Sequence, residues 1–140
     1  MRLLIMLSLC LLSSSALAQS RDPNSPDFDP VARMQRFFPD WQPPQVSQEE
    51  LAKLPLGSAE RPVRTQGPDG QEKYLSRLIC KNGKPPKFKR SGSTMKGTYG
   101  YPTDIYEIKC GWSKPVIVYM DLYHPRYVEN EAVPGFTIRE

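Results

Sequence analysis

Histidine is nearly absent from this 140-residue chain, with His124 the only one, and cysteine occurs three times. A structural zinc site takes four ligands at regular spacing, and neither the lone histidine nor the cysteines supply that pattern. Nothing else in the sequence calls for a cofactor. No G-x-S-x-G, H-E-x-x-H or phosphate-loop pattern occurs. Paired carboxylates for glycosidase chemistry cannot be singled out, because Asp104, Glu107 and Asp121 read equally well as surface residues. Internal repeats are missing too. The longest largely apolar run, residues 3–12, covers about 15 Å as a helix, half of a hydrocarbon core. That excludes a permanent transmembrane span.

What the run does fit is export. In MRLLIMLSLCLLSSSALAQS, Arg2 gives a positive start, the apolar run follows, and Ala16-Leu17-Ala18 supplies small residues around a cleavage site. Residues 1–18 are expected to be a signal peptide, with the mature chain beginning at Gln19 and held in the periplasm or secreted. Cys10 then leaves with the signal, and Cys80 and Cys110 remain. Two cysteines in an oxidising compartment read as one disulfide.

Charge is uneven. Residues 19–72 carry six basic and nine acidic groups, net −3, while residues 73–140 carry twelve and six, net +6. Such asymmetry implies an anionic partner for the second half, or the first half packing across it. All seven tyrosines lie after residue 73, so the folded mass is expected there.

Residues 19–46 hold six prolines and read as a semi-rigid arm. One short helix fits, with Asp29 as N-cap and Pro30 at its first position. Phe37, Phe38 and Trp41 are costly in water and are expected to dock on the main body. Residues 47–140 read as one β-rich domain. Ser47-Gln48-Glu49-Glu50 is a capping box for a short helix stopped by Pro55. Gly67-Pro68-Asp69-Gly70 is a turn sequence, predicting a β-hairpin whose second strand is residues 74–80. Residues 104–110 and 116–122 predict an antiparallel pair, the second strand central because it is apolar on both faces. Residues 135–138 predict a short edge strand. The fold class is mainly β (α+β): a small antiparallel sheet domain with a proline-rich N-terminal arm carrying short helices.

The strings GSAERPVR, GQEKYLSRLIC, YGYPTDIYEIKC, MDLYH and PGFTI resemble short, uncharacterised secreted or periplasmic proteins of bacteria. The resemblance covers residues 56–138. It implies a bacterial envelope setting, and it carries no activity, ligand or site residue.

Two constellations could carry function. Lys81, Lys84, Lys87, Lys89 and Arg90 follow Cys80 with no acid among them. Export argues against nucleic acid as the partner, and the disulfide makes the stretch a tethered loop. It either contacts an anionic envelope component, such as a lipid headgroup, lipopolysaccharide phosphate or acidic glycan, or it partly neutralises the acidic arm. The other is Asp121-Leu122-Tyr123-His124, where an acid and the histidine sit together. If strand geometry continued, three positions would put them on opposite faces. Gly97-Thr98-Tyr99-Gly100-Tyr101-Pro102 reads equally as a contact loop or a plain connection. The leading expectation is an exported, non-enzymatic binding module of the envelope for an anionic surface or another protein. The alternatives are a small periplasmic hydrolase using His124 and a secreted enzyme inhibitor.

Overall fold

The structure is a computed structural model that describes residues 20–140, so the signal-peptide reading and Cys10 lie outside the described residues. Proline and capping chemistry place the first two helices where the sequence puts them. In α1 (Pro30–Gln35) the Asp29 carboxylate accepts from the Ala32 N–H at 2.9 Å. In α2 (Gln48–Ala52) the Ser47 hydroxyl accepts from the Glu50 N–H at 3.3 Å. The reciprocal half of that capping box is missing, because the Glu50 carboxylate turns to Lys53 at 2.6 Å.

The chain then runs through β1 (Val63–Arg64), α3 (Gly67–Arg77) and β2 (Leu78–Ile79). Next come β3 (Lys87–Thr94), β4 (Thr103–Lys109), β5 (Val116–Asp121) and β6 (Thr137–Ile138). The main sheet has the order β1-β5-β4-β3, antiparallel except where β1 joins β5. β5 is central, as its apolar sequence predicts. β2 and β6 form a separate two-stranded sheet, so the last strand finds its partner outside the main one.

The largest correction is α3. The predicted hairpin at Gly67-Pro68-Asp69-Gly70 is the first turn of an 11-residue helix, which takes in most of its supposed second strand. Proline without an N–H is harmless in a first turn, and Asp69 there faces the positive end of the helix dipole. One face of the helix, Gln71, Tyr74 and Leu75, continues into Leu78 and is buried throughout. It packs on Val63, Tyr106, Ile108, Val118, Met120 and Val133 to form the core. Gln71 is the polar member of this face, and it is satisfied. Its amide donates to the Asp104 carboxylate at 3.2 Å, and its carbonyl accepts from the Tyr106 hydroxyl at 3.1 Å. The Tyr74 hydroxyl donates to the Glu131 carbonyl and accepts from the Val133 N–H, tying the C-terminal segment to α3.

The arm docks on this body by fewer residues than expected. Phe28 is buried against Tyr123, and Trp41 lies against Tyr101 with ring centres 5.1 Å apart. Phe37 and Phe38 do not dock; they follow the end of α1 and are 72% and 60% exposed. The Asn24 side chain of the arm caps α3, accepting from the Asp69 N–H at 3.0 Å. Gly67 makes this approach feasible. Its φ is +64°, and a Cβ there would come within 2.8 Å of the backbone at Pro23 and Asn24. Gly67→Ala is therefore expected to cost about 1–3 kcal/mol and loosen the arm. Limited proteolysis checks this: cleavage within residues 20–46 should be faster in the variant than in the wild type.

Candidate anion-binding tip and the buried histidine

Two turns lie side by side at one end of the sheet. The first leaves β2 at Cys80, where the Gly83 N–H donates to the Cys80 carbonyl at 2.9 Å. The second leaves β4 at Cys110, where the Ser113 N–H donates to the Cys110 carbonyl at 3.1 Å. Cys80 and Cys110 are joined by a disulfide with their Cα atoms 5.9 Å apart, as the cysteine count predicts. The bridge therefore fixes the two turns against each other.

The predicted basic stretch is a loop only in its first part. From Lys87 onward it is β3, an edge strand paired to β4. That pairing divides the five cations. Lys89 lies opposite Glu107 and bonds it at 3.0 Å, the ordinary cross-strand pair. Arg90 reaches Asp104 at 2.8 Å, and this hydrogen-bonded contact raises the Arg90 pKa. A bulge after Arg90 interrupts the strand.

Lys81, Lys84 and Lys87 make no ion pair among the described residues, and all three are exposed. The fold adds Lys109 and Lys114, exposed and equally without an ion pair, together with Trp112. Trp112 has a relative exposure of 102%, so its indole stands fully in solvent. Lys84, Lys87, Lys109 and Trp112 share a groove of about 590 Å³. Lys81 and Lys114 share a hollow of about 360 Å³ with Val116 and Phe136. Sequence reasoning missed Lys109, Trp112 and Lys114, which stand singly in Ile108-Lys109-Cys110-Gly111-Trp112-Ser113-Lys114-Pro115 and form no cationic run. The available signal was their position immediately around the second cysteine.

His124 is placed differently from the strand expectation. β5 ends at Asp121, and the chain turns through the Gln66–Tyr123 bridge. This brings the imidazole Nε2 within 3.4 Å of Asp121 Oδ1 rather than onto the other face. Asp121 is fully buried and accepts from the Tyr123 N–H at 2.9 Å. The imidazole has Tyr99 edge-on at 4.7 Å, with Tyr101 and Tyr127 farther out at 6.4 and 6.5 Å. Arg64 lies 4.0 Å over the Tyr127 ring and donates to its hydroxyl.

Chemically this centre is poor in reactants. No serine, threonine or cysteine side chain bonds the His124 ring among the described residues, and His124 lines none of the clefts around the tip. Burial, reinforced by Asp121 and Asp29, pushes the Tyr101 phenol up to about 12, so it stays neutral. Of the tyrosines in the Gly97–Pro102 run, Tyr101 turns inward, 5% exposed and stacked on Tyr123, while Tyr99 is half-buried. They form a packed connection that holds Trp41 of the arm.

Among the described residues no helix is long and apolar enough to cross a membrane. Comparison with protein-family models, curated proteins and solved structures finds no match to this chain.

Proposed function

We propose that the protein is an exported, non-enzymatic binding module of the bacterial envelope, and that its disulfide-pinned tip recognises an anionic partner. One observation carries the reading. Five lysines without an ion pair among the described residues, Lys81, Lys84, Lys87, Lys109 and Lys114, stand exposed on and beside the two turns that the disulfide joins. An exposed cation with an acid beside it is largely neutralised locally, as at Lys89 and Arg90. The five at the tip keep their charge for a partner, and their potentials add over the Debye length of about 8 Å at physiological salt. The disulfide and the reading of residues 1–18 support export.

Binding to a soluble polyanion, inorganic polyphosphate, tests this. Affinity should fall about 10- to 100-fold between roughly 50 and 200 mM salt, as expected when several charges are neutralised together. A variant with all five lysines replaced by glutamine should lose most of that slope while keeping its melting temperature, since exposed charges add little stability. Binding by that variant with wild-type strength and salt dependence would sink the proposal.

A further inference from the structure

We infer that the anion recognised by the tip is the headgroup layer of an anionic bilayer, with Trp112 entering it as a reversible interfacial anchor. This rests on the anion reading and names its partner. The observation behind it is the distribution of apolar surface at the tip. Trp112 projects fully into solvent, and Val116 and Ile117 are 40% and 48% exposed just after it. Val116 and Ile117 are consecutive in β5, so they point to opposite faces of the sheet. The end of the molecule is therefore apolar on both sides, with no single flat face to offer a protein.

A fluid layer is the kind of partner that can contact such an end all round. The cations are arranged to match. Lys84, Lys87 and Lys109 lie in the groove beside Trp112, and Lys81 and Lys114 lie in the hollow beside Val116. When the indole sits at headgroup depth, its usual place at an interface, these lysines come level with the lipid phosphates. Neither signal anchors firmly alone, since one small apolar insertion is marginal and a polybasic patch is salt-sensitive. Together they give reversible, charge-selective attachment. The disulfide contributes rigidity, presenting Trp112 and the lysines in one fixed geometry.

The test compares the mature chain, residues 19–140, with its Trp112→Ala and five-lysine glutamine variants. The probes are equimolar phosphatidylglycerol–phosphatidylcholine vesicles, pure phosphatidylcholine vesicles and soluble polyphosphate. The wild type is expected to sediment with the anionic vesicles and to leave the zwitterionic ones in solution. Brominated lipid should quench its tryptophan emission. Trp112→Ala should weaken vesicle binding about 10- to 30-fold, abolish the quenching and leave polyphosphate binding intact. Trp112 is fully exposed, so this variant should fold normally, which circular dichroism verifies.

Wild-type vesicle binding by Trp112→Ala overturns the bilayer assignment and leaves the anion reading standing. So does loss of polyphosphate binding in that variant, which would mark the indole as a stacking platform for a soluble polyanion. If the glutamine variant binds both probes like the wild type, the anion reading itself fails.

Discussion

Leu75→Ala is expected to lower the stability of the folded chain by about 2–5 kcal/mol, a large fraction of the roughly 5–15 kcal/mol typical of a domain this size. Leu75 has no exposed surface and sits at the centre of the face that α3 lays against the sheet. Truncating it removes the transfer free energy of three carbons. It also opens a cavity in the core cluster that Leu75 shares with the fully buried Val63, Leu78 and Met120. Strands held in register cannot close inward to fill such a gap, so the upper half of the range applies. Urea titration of the variant should show a lower midpoint with an unchanged slope. Ser76→Ala is the control: the position is exposed on the same helix and should change stability by less than about 0.5 kcal/mol. Equal effects from the two substitutions would mean that this face of α3 is not the core.

That helix also shows where the sequence could and could not be read. Its burial positions, Gln71, Tyr74, Leu75 and Leu78, follow the i, i+3, i+4, i+7 pattern of a helix face. The pattern is hidden because its first member is polar, and Gln71 belongs to the core only through Asp104 and Tyr106, which arrive from β4. Gly-Pro-Asp-Gly misleads for a related reason, since the residues that make a turn also open a helix, and only the following residues decide. Where one local signal acts alone, the reading holds. Asp29-Pro30 and Ser47 start their helices, and the partial alternation of β4 marks its inward face. The tip was half legible. The cysteines announce the bridge and the lysines announce charge, but which lysines keep that charge depends on pairing to Glu107 and Asp104 across the sheet. The approach of Asp121 to His124 depends on the turn after β5, which sequence spacing does not encode.

Reduction of Cys80–Cys110 is expected to cost about 3–4 kcal/mol, and to weaken anion binding before it unfolds the chain. The first part follows from loop length. The bridge joins residues 30 apart, and in the chain-entropy account an open chain regains that much freedom in its unfolded state. The second part follows from position. Beyond the bridge, the first turn is held by its own short hydrogen bonds and by β3, and the second by one bond from Ser113 and by β5. Once the sulfurs part, the two turns are joined only at their base, where β3 pairs with β4 at Lys87 and Lys109. Lys81 and Lys84 then move independently of Trp112 and Lys114, and the shared field of the tip is lost while α3 and the sheet stay packed. A Cys80→Ser, Cys110→Ser double variant separates the effects. At a temperature well below its lowered melting point, it should keep wild-type far-ultraviolet circular dichroism yet bind polyphosphate severalfold more weakly. Its dependence on salt should also be shallower. If it binds as tightly as the wild type while melting lower, the bridge serves stability alone. The proposed anion site would then need no fixed geometry.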